Sequence, residues 1–213
     1  MCSVHVSTHP LVQHKLAILR DERTDVETFR RVIGELTAIL GIEATANLAT
    51  KQVGVKTPIA TGEFPMLEND LFTIVPILRA GVGMQDGLLK VIPGARIGLL
   101  GLKREEVPVG VHIVEYYKNL PLDIADSHVL LVDPMLATGS SAVVAAQHLK
   151  EHGCRDIKFL CTVASPEGIA TFEKAHPDID IYVAAIDDCL DENFYIVPGL
   201  GDAGDRIFGT PQE

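Results

Sequence analysis

The 213-residue chain has no tryptophan, and aromatic residues make up only 5% of it. Its core must therefore be filled by Val, Ile, Leu and Ala. Positive charge is also scarce: 18 Lys and Arg stand against 29 Asp and Glu, for a net charge of -11. A nucleic-acid coat or an anionic membrane surface needs the opposite surplus, so neither is expected as a partner. No apolar run approaches membrane-spanning length; the longest, around "IVPIL", is far too short. The opening "MCSVHVSTHPLVQHK" has no apolar h-region, so no secretory signal is expected there. The four cysteines, Cys2, Cys154, Cys161 and Cys189, form no C-x-x-C pair. Reduced thiols and a cytoplasmic location are the expectation. The eight histidines are scattered along the chain, and no metal site held by the protein alone is expected. A Walker A loop is missing, and a G-x-G-x-x-G turn is not expected at any strand-to-helix junction.

What is present is 47% hydrophobic residues, enough for one sizeable core, so residues 1–213 are expected to form a single domain. The first forty residues read as helices. In "TDVETFRRVIGELTAILG", Thr24 and Glu27 have capping-box spacing, and Val26, Phe29, Val32, Ile33, Leu36 and Leu40 form one apolar stripe. These helices are expected to cover a sheet edge or make a subunit contact. An alternation follows. "LFTIVPIL", "RIGLLGL", "VHIVEYY", "HVLLVD", "IKFLCTVAS" and "IDIYVAAI" read as strands. "GMQDGLLKVI", "SAVVAAQHLKEHG" and "SPEGIATFEKAH" read as helices, the last with Ser165 as N-cap and Pro166 in its first turn. This pattern predicts an α/β fold with a mostly parallel central sheet flanked by helices. The last segment, "DENFYIVPGLGDAGDRIFGT", is rich in Gly and Asp and carries no period, so it is expected as a loop region.

Ligands of such sheets bind outside the carboxyl ends of the strands. Three unusual segments fall there: "ILRAGVG", "DPMLATGSS" and the terminal Gly-rich loop. In the second, Thr138, Gly139, Ser140 and Ser141 lead into a helix, offering free N–H groups, hydroxyls and the positive end of a helix dipole. Such hydroxyls serve as plain helix caps more often than as phosphate cradles, so the turn alone decides little. Asp133 adds the second half of the argument. It ends an apolar strand beside the turn, where its charge would repel a phosphate unless something lay between. A sugar resolves this: its hydroxyls donate to the carboxylate while its phosphate sits in the turn. A ribose 5-phosphate fits both.

"VLLVDPMLATGSS" resembles the signature of type I phosphoribosyltransferases, which hold 5-phosphoribosyl 1-diphosphate (PRPP). The Asp133-Pro134 pair, in place of two adjacent acids, is similar to the uracil phosphoribosyltransferases. "HPLVQHKLAILRDERT", "VPILRAGVGMQDGLL", "SPEGIATFEKAHPDI" and "YIVPGLGDAGDRIFGT" extend that resemblance along nearly the whole chain. The family usually has Gly at the position of Ser140; if that position needs positive φ, Ser140 would be strained.

The resemblance implies a type I phosphoribosyltransferase fold with N-terminal helices and a C-terminal base-binding loop region. It implies transfer of the 5-phosphoribosyl group from PRPP to uracil, giving UMP and diphosphate in pyrimidine salvage. Arg79 and Arg104 would grip the diphosphate, since a planar fork of donors matches phosphate oxygens. Asp133 would hold the ribose, with Pro134, Met135, Leu136, Ala137, Thr138, Gly139, Ser140 and Ser141 completing the PRPP loop. Ile196, Gly201, Asp202 and Ala203 would line the uracil pocket, with Asp202 also near PRPP, and Tyr195 could stack nearby. Arg79, Asp133 and Asp202 are the expected catalytic residues. Mg²⁺ would arrive with PRPP. A homodimer or higher homo-oligomer and a GTP effector are further implications. The competing readings are a transferase for another nucleobase and an RNA-binding regulator of the same fold, the second disfavoured by the net charge of -11.

Overall fold

The computed structural model describes residues 2–106 and 111–210. The chain opens with strand β1 (Val4–Val6), then helices α1 (Pro10–Arg20) and α2 (Val26–Ala44) and strands β2 (Thr50–Lys56) and β3 (Thr61–Leu67). Next come β4 (Phe72–Leu78), α3 (Val82–Val91), β5 (Arg96–Ile97), β6 (Leu99–Glu106), β7 (Val111–Asn119), β8 (His128–Val132) and β9 (Met135–Leu136). The remainder is α4 (Ser140–Glu151), β10 (Ile157–Ala164), α5 (Pro166–Ala175), β11 (Asp180–Ile186), β12 (Cys189–Leu190), β13 (Ile196–Val197) and α6 (Ala203–Phe208).

Among the described residues one nine-stranded sheet runs in the order β1-β11-β10-β8-β4-β6-β7, with β5 on β4 and β9 on β10. Its pairings are parallel except β6 with β7, which is antiparallel. The expected α/β architecture is therefore present. Central strands buried on both faces must be apolar throughout. β4 comes close to that demand: Phe72 to Ile77 are all buried, and its one polar side chain, Thr73, bonds the Ser127 hydroxyl at 2.9 Å. Alternate strand residues feed two cores. Ile74, Leu130, Leu160 and Tyr182 pack under α1, α2, α3 and α6, whereas Val75, Leu131, Phe159 and Ile181 pack under α4 and α5. The helix α2 stripe, Phe29, Val32, Ile33, Leu36 and Leu40, lies in the first of these cores. Each such side chain removed from water contributes about 1.5–3 kcal/mol.

Four details differ from the sequence reading. Helices α1 and α2 cover a face of the sheet, not an edge; the edge is taken by β1, a three-residue strand too short to leave a pattern. The N-cap of α2 is Asp25, whose carboxylate accepts the Thr28 N–H at 2.8 Å, while Thr24 donates its hydroxyl to the Ile18 carbonyl at 2.6 Å. Strands β2 and β3 form a separate antiparallel hairpin that the sequence did not reveal. The terminal segment is not wholly irregular: β12 and β13 pair in it, and α6 follows. Ser165 caps α5 as expected, accepting the Gly168 N–H at 2.9 Å.

Candidate active site

Strands β4, β8 and β11 all end at the same edge of the sheet, so Arg79 and Asp133 follow neighbouring strand ends and Asp187 follows a third, beyond β8 across β10. The turn after β4 is drawn against β8. A Cβ on Gly81 would stand 2.6 Å from the Val132 carbonyl oxygen and 2.7 Å from the Ile77 nitrogen, so only glycine allows this approach. The Leu78–Arg79 peptide is cis. Arg79 itself is exposed, with its guanidinium 6.0 Å from the Phe208 ring centroid on α6. Among the described residues no carboxylate pairs with it. The side chain of Arg104, on β6, lies outside the described residues.

After β8 the chain turns its carbonyls inward. The Pro134 carbonyl accepts from the N–H of Thr162 at 2.9 Å and of Val163 at 3.1 Å. Leu136 accepts from the Ser165 N–H at 3.0 Å, and Ala137 from the Ser165 hydroxyl at 2.6 Å. These loop carbonyls are thus taken up by β10 and Ser165. Gly139 is the N-cap of α4 at φ 81°, with no side-chain cap bond. The positive φ thus falls on Gly139; Ser140 is already helical and unstrained, so the feared strain does not arise. Thr138 and Ser140 hydroxyls lie 3.2 Å apart over the helix start. Beneath the loop, Cys161 is fully buried; burial first and the Asp133 charge second raise its thiol pKa well above the ordinary value.

A cavity of about 360 Å³ joins these parts. Asp133, Met135 and Ala137 line one side, Asp202 and Ala203 another, with Ala80, Asn193, Phe194, Tyr195 and Gly204 completing the wall. The expected ribose acid and base-loop acid therefore share one space. Asp202 has a structural duty there: its Oδ1 accepts the Asp205 N–H at 2.9 Å as the N-cap of α6. Ile196 is buried in the core at 4% exposure. Gly201 faces a neighbouring cavity of about 630 Å³, with Arg20, Gly199 and Arg206. Pro134 and Leu136 are buried, and Tyr195 is exposed at the cavity wall.

Sequence reasoning did not single out Phe194 or Asp187. Asp187 carried a usable signal, since it follows an apolar strand as Asp133 does. The pattern G-x-G-x-x-G does occur, against expectation, as Gly199-Leu200-Gly201-Asp202-Ala203-Gly204 between β13 and α6. That strand has two residues and pairs only with β12, so the βαβ unit of a dinucleotide site is absent there.

A mostly parallel sheet, with an acid and a small-residue loop leading to a helix start opposite a Gly-rich loop, is the arrangement of a type I phosphoribosyltransferase. A family model, uracil phosphoribosyltransferase, matches residues 6–210. Curated relatives named uracil phosphoribosyltransferase include one from Listeria innocua, 49% identical over 99% of this chain and 100% of its own length. Another, from Anoxybacillus flavithermus, is 47% identical with the same coverage. A solved structure of a protein from Aquifex aeolicus superposes with a TM-score of 0.91 at 35% identity, covering 99% of this chain and 100% of that one. The chain belongs to the uracil phosphoribosyltransferase family.

Proposed function

We propose that the protein, as a single phosphoribosyltransferase domain, transfers the 5-phosphoribosyl group of PRPP to N1 of uracil, releasing diphosphate and forming UMP. The observation that carries this reading is the cavity lined at once by the PRPP loop and the base loop. In the reaction the bond from ribose C1 to the diphosphate oxygen breaks, uracil N1 bonds to C1, and the N1 proton leaves. Charge on the departing diphosphate needs fixed cations or donors. Arg79, exposed and free of any described carboxylate, supplies one, and Arg104 a second. Asp133 accepts from the ribose hydroxyls. The N–H groups and hydroxyls from Met135 to Ser141 hold the 5-phosphate at the start of α4. Asp202 and Ala203 on this cavity, with Ile196 and Gly201 by family position, would present main-chain groups to the base, which makes positioning, not a nucleophile, their contribution.

No cluster of three or more potential metal ligands occurs among the described residues. Mg²⁺ commonly keeps its waters and takes substrate phosphates with one or two carboxylates. Asp133 and Asp202 on one cavity fit that pattern, so they would receive an ion carried by PRPP, which would neutralise the diphosphate. Asp202 keeps Oδ2 for this or for the N1 proton, because Oδ1 is held by the cap. A cytoplasmic location agrees with free cysteines, and no helix of the described residues is long and apolar enough to cross a membrane. A GTP effector remains a family-based expectation to be tested by adding GTP to the assay. The exposed hairpin of β2 and β3 supports a homo-oligomer.

The test is a base panel with PRPP and Mg²⁺, reading nucleotide formation. Uracil is expected to be accepted and cytosine rejected. A site that accepts from the imide N–H meets a lone pair in cytosine, and an unpaired buried polar group costs about 1–3 kcal/mol. Comparable turnover of the two bases would overturn the assignment.

A further inference from the structure

The acid that follows β11 is almost wholly enclosed: the Asp187 side chain is 3% exposed. It is met by Arg20, the last residue of α1, through two parallel contacts. One guanidinium nitrogen donates to Oδ2 at 2.8 Å and the other to Oδ1 at 2.5 Å. The same pair also grips a backbone residue in the terminal loop. Arg20 donates to the Gly199 carbonyl at 2.6 Å, and the Gly199 N–H donates to Asp187 Oδ2 at 2.9 Å. Both polar groups of Gly199, which sits at φ 61°, are thereby fixed by one ion pair. The next carbonyl, Leu200, accepts from Arg206 at 2.8 Å. Arg206 in turn donates to the carbonyls of Asp21, at 2.6 Å, and Leu19, and lies 4.4 Å from the Phe29 ring centroid.

A tie that merely fastened α1 to the body would be superfluous. Val12, Leu16 and Leu19 already bury that helix at 3% exposure or less. What the two arginines share is the stretch immediately before Gly201, Asp202 and Ala203. We propose that Arg20 and Asp187 are positioning residues for the nucleobase: the pair sets the height of Gly199, and so the place at which the following run meets uracil. This rests on the reading that the run binds the base. Arginine is required for the geometry, since lysine keeps the charge but not the fork that spans a carboxylate and a carbonyl together.

Removal of one partner alone would strand a buried charge, so Arg20→Ala confounds function with folding. Two other variants avoid this: Arg20→Lys, and the double variant Arg20→Met with Asp187→Leu, which removes both charges. For each, the KM for uracil and for PRPP, kcat and thermal midpoint are measured, with Ala203→Val as a direct probe of the base pocket. The expected result is a rise of about 10-fold in the uracil KM for both, the effect of one lost charge-assisted bond, with the PRPP KM changed by no more than about 2-fold. A purely structural pair would lower the melting point or the active fraction and leave the uracil KM of the folded enzyme alone. That result, or a parallel rise in both KM values, overturns the proposal. If Ala203→Val raises the uracil KM while the clamp variants do not, only the clamp is wrong. If Ala203→Val also has no effect, the base-loop reading fails and the proposal falls with it.

Discussion

Phe194 is the non-glycine residue with a positive φ, 64°, among the described residues. A Cβ carbon in that region crowds the following carbonyl, at a cost of about 1–2 kcal/mol. The turn around it holds the conformation in place: Asp191 accepts the N–H of Asn193 at 2.9 Å and of Tyr195 at 2.8 Å through Oδ1. Its carbonyl takes the Phe194 N–H at 3.0 Å. The ring gains little burial in return, being 56% exposed at the wall of the cavity shared by Asp133 and Asp202. Phe194→Gly should therefore raise stability in denaturant titration, by about 0.5–1 kcal/mol, since glycine accepts this φ without strain. A fall in stability would show that the ring packs more firmly than its exposure indicates. Strain concentrated at a ligand wall is common where a site over-determines its own geometry. Uracil kinetics on the same variant would show whether the ring also shields the base.

At the scale of elements, the proposed PRPP loop depends on how closely α5 approaches it. A Cβ on Gly139 would stand 2.8 Å from the Gly168 carbonyl oxygen and 3.1 Å from the Thr171 Cβ. Gly139→Ala combines this clash with an unfavourable φ of 81° and should destabilise by about 1–3 kcal/mol while raising the KM for PRPP. Denaturant unfolding and steady-state kinetics test both effects; a variant with unchanged PRPP affinity would separate the loop's shape from its function. The strands that frame this loop were legible because β4, β8, β10 and β11 are apolar runs flanked by turn residues or helix caps. β1 was not, because three residues cannot show a period. The β2 and β3 hairpin was not, because its residues are nearly all exposed and burial is what writes alternation into a strand. Asp133 and the Thr138 to Ser141 turn were legible from local chemistry alone. The Arg20–Asp187–Gly199 clamp joins positions far apart in the chain, and only the fold brings those side chains together.

At the scale of the whole molecule, the β2 and β3 hairpin stands apart from the main sheet. It pairs over its full length, from Thr50 with Leu67 to Lys56 with Thr61, yet among the described residues it belongs to no larger sheet. An isolated two-stranded hairpin is at best marginally stable in water. This one also exposes Val55, Ile59, Phe64, Met66 and Leu67, with Ile59 94% and Met66 52% exposed. Apolar side chains grouped on a projecting element mark an association surface more often than a free one. A second copy of the chain is the partner in the proposed homo-oligomer, and burial of these side chains would stabilise both hairpin and assembly. The double variant Phe64→Asp with Met66→Asp places two charges on that surface and should shift the protein towards monomer in sedimentation velocity. The core clusters that position Asp133 contain neither residue, so the sheet should stay folded by circular dichroism. An unchanged sedimentation coefficient, matching wild-type assembly at equal concentration, would mean that the hairpin does not hold the copies together and that any oligomer forms through another face.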